Sequence, residues 1–196
     1  MSLKLPYDRF TLKEEYFINP SDVHGVKHTY RVMYHVLNLG RVHEDDLTDY
    51  EVLLAFCAAF IHDMAREHDG IDASHGRRAA DMVLPEFKNL FVEVGVLEED
   101  LDIIATAVEW HSVSGEETLQ GREYRVTALL KDADGLDRVR LGDLDPSYFR
   151  FPRTADFVEF AREFYYSTQR KTLVNFYQVM ATAEQVMYSL KMAKRH

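Results

Sequence analysis

Four histidines and two aspartates lie in five short segments of this chain and are of the right types to hold divalent ions. They are His28 in HGVKHTYRV, the adjacent His62 and Asp63 in FIHDMAR, His75 in ASHGRRAA, His111 in VEWHS and Asp132 in LLKDADGLDR. Neutral imidazole suits divalent transition metals, and a carboxylate can bridge neighbouring ions through its two oxygens. Asp63 is best placed to bridge. Consecutive residues on a helix point about 100° apart, so His62 and Asp63 share an ion most readily near a helix end. His28 and Asp132 must then arrive from other helices, as inward-facing ligands do in a bundle. Any one of these residues alone is more simply read as a hydrogen-bonded core or surface group; the ordered set carries the metal reading.

Other groups accompany the ligands. His24 lies one helical turn before His28 and can share its face, but no Glu follows it as a two-His zincin motif would require; it is the candidate substrate contact, a structural or solvated role being the simpler reading. Arg and Lys residues are interspersed among the motifs, including Lys27, Arg31, Arg77, Lys131, Arg138 and Arg140. Arg66 and Arg78 are the chosen phosphate contacts, since guanidinium offers planar donors that match phosphate oxygens. Asp134 and Asp137 follow Asp132 by two and five residues. They do not share its face closely and are read as supporting carboxylates or partners of Arg138.

Helices must position these groups, because apolar residues recur at helical spacing throughout and no stretch alternates as a strand does. The expected class is all-α. A first helix covers residues 26–39, and a central one covers 47–66, its apolar run at 52–61 ending on His62-Asp63. Asp72 and Ser74 suit the start of a helix through Val83 that Pro85 helps to stop. Further helices are expected over 98–111 and 122–139, then a turn at 142–146. Residues 154–194 carry an aromatic stripe that reads as a helical hairpin, its face serving the core or a second copy of the chain.

The order His, His-Asp, Asp in HTYRV, FIHDMA and LLKDADGLDR resembles the HD superfamily of metal-dependent phosphohydrolases. His75 in SHGRRAA and His111 in EWHS are similar to the additional ligands of its two-metal branch, which includes bacterial diadenosine tetraphosphate hydrolases. The resemblance covers residues 23 to about 140. It implies an HD-domain helical bundle in which His28, His62, Asp63 and Asp132 hold one ion and Asp63, His75 and His111 a second. His62, Asp63 and Asp132 are then the catalytic groups. The sequence departs from the cyclic-dinucleotide phosphodiesterases, since HDMAR lacks their Gly-Lys continuation and no Gly-Tyr-Pro follows.

Composition sets the outer limits. The 196 residues suit a single domain, with a metal-site core at about 23–140 and a helical extension at about 142–196. A formal charge of −10 argues against general nucleic-acid binding. No apolar run approaches the roughly 20 residues of a membrane span, and no secretory signal opens the chain, so a cytoplasmic protein is expected. Cys57, the single cysteine, excludes an intrachain disulfide and a thiolate-rich zinc site. Imidazole and carboxylate ligands favour Fe, Mn, Co or Ni, with Mg and Zn also open. No nucleophile elbow or Walker loop is present, so activated water is the expected nucleophile, acting on a phosphorylated small molecule of nucleotide type. A catalytically silent nucleotide-binding or regulatory module is the alternative, and a di-iron oxygenase a third. A homo-oligomer remains open.

Overall fold

The computed structural model describes residues 5–173 and 175–193. Eight α-helices account for most of them: α1 (Val26–Val42), α2 (Asp49–Ile61), α3 (His75–Arg78), α4 (Leu84–Glu93), α5 (Leu101–Trp110), α6 (Gly121–Asp137), α7 (Val158–Gln169) and α8 (Phe176–Ala193). No strand occurs among the described residues.

Helix α2 is the axis of the bundle. Thr48 caps it by accepting from the backbone N–H of Glu51, while the Glu51 carboxylate reaches back to the Thr48 N–H. Such a cap is worth about 1 kcal/mol. Every residue from Glu51 to Ile61 is buried, because α1, α5 and α6 all pack against this one helix. A helix that is apolar on all sides is stable only when enclosed in this way.

The expected aromatic hairpin is α7 and α8, which pack on each other and on α1. Phe160 and Phe164 meet the rings of Tyr34 and His35, while Phe176 packs against Tyr7, Tyr30 and Phe56. Most of the stripe is therefore core; Tyr166, Tyr177 and Tyr188 of these helices stay exposed. The expected end of this segment, Lys194, lies outside the described residues.

The expected stop at Pro85 is corrected. A π-helical turn at Ala79–Val83 links α3 to α4, so the rod continues to Glu93 with proline near the start of α4. Proline is tolerated in a first helical turn, where its missing N–H costs nothing. The 3-10 turn Arg138–Arg140 extends α6 to about the expected length.

Candidate metal centre

Helix ends bring the histidines together. His62 caps the C-terminus of α2 and His111 that of α5, while His75 opens α3. His28 lies in the first turn of α1. All four are nearly or fully buried. Gly76 lets α3 approach α5, since a Cβ there would stand 2.4 Å from the Val108 carbonyl oxygen and 3.2 Å from Nδ1 of His111.

The hydrogen bonds fix the state of each ring. Nδ1 of His62 donates to the Ala59 carbonyl at 2.8 Å, Nδ1 of His111 to the Val108 carbonyl at 2.6 Å, and Nδ1 of His75 to the Asp72 carbonyl. His28 directs Nδ1 to the Asp137 carboxylate at 2.7 Å. Each partner is an acceptor, so Nδ1 of each ring carries a proton, and in the neutral tautomer this selects, Nε2 presents a lone pair. These lone pairs face each other in two couples, His28 with His62 at 3.2 Å and His75 with His111 at 2.9 Å.

Asp63 stands between the couples. Its Oδ2 is 3.3 Å from Nε2 of His28 and 3.7 Å from that of His62. Its Oδ1 is 3.1 Å from Nε2 of His75 and 3.6 Å from that of His111. Burial pushes the His62 imidazole down to about 3, so it stays neutral.

Asp132, expected among the ligands, is elsewhere. Its carboxylate accepts from the backbone N–H of Arg150 at 2.9 Å and of Phe151 at 3.0 Å, and from the Thr154 hydroxyl at 2.8 Å. It fastens the segment after Gly142 to α6. The residue beside the first His couple is Asp134, whose Oδ1 lies 3.3 Å from Nε2 of His28 and has no hydrogen-bond partner. Two residues on a helix differ by about 200°, so only one of Asp132 and Asp134 can face inward. Asp137 supports the site as a carboxylate orienting His28, and it also binds Arg31 through Nε at 2.6 Å and Nη2 at 2.9 Å. A readable signal existed: His28 and Arg31 on α1 match Asp134 and Asp137 on α6, each pair three apart.

The expected substrate contacts divide. Arg66 is at the site, its Nη1 3.7 Å from Oδ1 of Asp63 and 3.2 Å from Nε2 of His75. His24 is there too, its Nδ1 3.0 Å from Oδ2 of Asp63 and 3.2 Å from Nη2 of Arg140. Arg78 is not: it donates to the Ala65 carbonyl and pairs with Asp72, and it does not line the cavity that opens on Asp63. It clamps the loop after the His-Asp pair. Arg31, buried on Asp137, is equally remote from phosphate recognition. Arg140 lines the cavity beside Asp134, a placement that spacing from Asp132 concealed.

The donors suit a cation. Two imidazole ligands about 2.1 Å from one ion and about 90° apart stand roughly 3.0 Å from each other, which is the separation of both couples. Paired lone pairs with no proton between them, beside an unpartnered buried carboxylate oxygen, are otherwise repulsive. Within 4.8 Å of one another also lie the ligand atoms of His28, His62 and Asp134, and those of His62, Asp63 and His111.

A helical bundle that converges imidazoles from α1, α2, α3 and α5 on one aspartate defines an all-α metal-site protein. The chain matches the HD domain over residues 25–139, more than half its length, and belongs to that family. Neither the curated proteins nor the solved structures compared give a match.

Proposed function

We propose that the protein hydrolyses a phosphate ester or anhydride, of nucleotide type, at a two-ion centre bridged by Asp63. His28, His62 and Asp134 hold one ion with Oδ2 of Asp63; His75 and His111 hold the other with Oδ1, an arrangement like the two-metal HD branch. The observation that carries this is the facing of Nε2 lone pairs in two couples, one on each oxygen of a single carboxylate. Fe, Mn, Co and Ni are favoured by these donors, with Mg and Zn within their range. When bound, such ions lower the pKa of water and take up charge developing on the phosphoryl oxygens.

The chain's own residues bind and orient. Arg66 beside the second couple and Arg140 beside Asp134 offer guanidinium N–H groups to phosphate oxygens from two sides. Asp137 holds His28 in the tautomer whose Nε2 can act as a ligand. The segment after Gly142 completes the site, since the stretch fastened by Asp132 forms a wall of the cavity. Replacing Asp63 with Ala should abolish metal-dependent hydrolysis across a panel of nucleotides. Retained activity, or saturable nucleotide binding without turnover under every metal, refutes the proposal.

A further inference from the structure

The cavity above Asp63 and Asp134 has a volume of about 940 Å³; Arg66 and Arg140 line its floor, 3.7 Å from Asp63 and 3.6 Å from Asp137 respectively, and exposed carboxylates line its mouth. On the floor, Nε of Arg66 and Nη1 of Arg140 are buried and have no hydrogen-bond partner among the described residues. The remaining cations of the wall are committed. Lys131 and Arg150 both bind Glu116, and Arg138 pairs with Asp143. At the mouth, the exposed carboxylates of Asp69, Glu117 and Asp145 pair with no basic side chain among the described residues. Asp69 accepts from the Ser21 hydroxyl and Asp145 from the Ser147 N–H, uncharged donors that leave both carboxylates their charge.

The same mouth carries apolar surface. Ile71 is 98% exposed, Tyr148 72% and Leu141 42%, yet all three line the cavity. Large apolar groups left in water around a concave site are characteristic of ligand contact. A phosphate thus finds unpartnered guanidinium N–H groups only on the floor, whereas the mouth suits an uncharged group with a ring or apolar face.

We propose that this site selects phosphate monoesters of an uncharged, ring-bearing alcohol, the nucleoside monophosphates being the test class, and discriminates against di-, tri- and dinucleoside polyphosphates. The inference rests on the phosphohydrolase reading and narrows its substrate. In the reaction, water forms a bond to phosphorus, the ester P–O bond breaks, and the leaving alcohol oxygen gains a proton, giving inorganic phosphate and the free alcohol. A polyphosphate placed with its terminal phosphate on the floor would lay its other phosphates against the three mouth carboxylates, where like charges repel.

The test uses metal-loaded full-length protein. Hydrolysis of a nucleoside mono-, di- and triphosphate series and of a dinucleoside tetraphosphate is compared, together with calorimetric binding of non-hydrolysed phosphonate analogues of the mono- and triphosphate. The monophosphate should be preferred by about tenfold or more over the triphosphate in both kcat/KM and affinity. The gap should narrow between about 0.01 and about 1 M salt, as the screening length falls from about 30 to about 3 Å. Glu117→Lys should narrow it at low salt. Equal or better handling of the triphosphate, or a preference that ignores both salt and Glu117→Lys, overturns this inference while leaving phosphohydrolysis intact. Failure to hydrolyse any member refutes phosphohydrolysis instead, and the analogue affinities then still decide the selectivity.

Discussion

Asp137→Asn separates what holds the core from what prepares the metal centre. Asp137, His28 and Arg31 have no solvent exposure, and the Asp137 carboxylate accepts from Nδ1 of His28 and from Nε and Nη2 of Arg31. Asparagine keeps the shape but turns one acceptor oxygen into an NH2 donor, which at the Oδ1 position faces Nε of Arg31 and at the Oδ2 position faces both Nη2 of Arg31 and Nδ1 of His28. Leaving the buried guanidinium without its countercharge costs about 3–5 kcal/mol. A domain with about 5–15 kcal/mol in hand stays folded at that cost, with a lower denaturation midpoint. If the amide NH2 faces His28, the imidazole proton moves to Nε2 and the ligand lone pair is lost. Removing such an orienting partner weakens metal binding about 10–100-fold. Urea denaturation and a metal titration against a competing chelator read the two effects. Arg31→Gln is the comparison: it breaks the ion pair but leaves Asp137 for His28. It should cost stability while changing metal affinity by less than about threefold, or about 0.7 kcal/mol. Equal loss of affinity in both variants, or none in Asp137→Asn, would refute control of the tautomer. Burial opposes ionisation of Asp137, but Arg31 and His28 hold its carboxyl far below the ordinary range. Its contribution to stability is therefore fully present above the unfolded value of about 3.9 and is lost only in stronger acid, so the denaturation comparison is insensitive to the titration of Asp137 near neutrality.

Two further outcomes can be checked. Asp134→Asn should lower the metal retained after dialysis, measured by elemental analysis, whereas Asp132→Asn should keep the metal and lose about 1–3 kcal/mol by freeing the backbone amides it satisfies; the reverse pattern returns Asp132 to the ligand set. His35 is enclosed by Phe160, Phe164 and Tyr34 with neither ring nitrogen hydrogen-bonded, and burial lowers its pKa to about 4. The unfolded chain then binds this proton first, so stability falls as pH drops from about 6.5 to about 4, by about 3 kcal/mol in all. His35→Leu should remove that part of the pH dependence in denaturation curves, and an unchanged slope would show that the proton is taken up elsewhere.

What was legible depended on how locally each choice is made. The order of helices was readable because caps and apolar spacing act within a turn or two: Thr48 with Glu51 starts α2, and the run at 52–61 demands a central position. Pro85 misled because proline usually ends a helix, and the π turn before it has no signature in the pattern. Asp132 misled for a related reason. KDADGLDR presents three carboxylates, and periodicity separates their faces without saying which face meets His28. That choice is made by α1, where His28 and Arg31 present an imidazole and a guanidinium to Asp134 and Asp137, and by residues 150–154, which supply the donors that claim Asp132. Arg78 was drawn away likewise by Asp72 and Ala65, partners on a loop with no periodic pattern.

The placement of histidines at helix ends has a cause beyond the divergence of His62 from Asp63. The final turn of a helix leaves carbonyls without an internal partner. His62 and His111 each donate Nδ1–H to the carbonyl three residues earlier, Ala59 and Val108, and His75 does the same to Asp72 just outside α3. At His62 and His111 one bond thus satisfies a carbonyl of the helix's last turn and fixes the tautomer that leaves Nε2 free. His28 begins α1, where the unpaired backbone groups are N–H donors rather than carbonyls, so it needs an acceptor from another helix; Asp137 supplies it. The need for an orienting carboxylate at His28, and not at His62 or His111, follows from which end of a helix each imidazole occupies; His75, which opens α3, uses a carbonyl of the preceding loop instead.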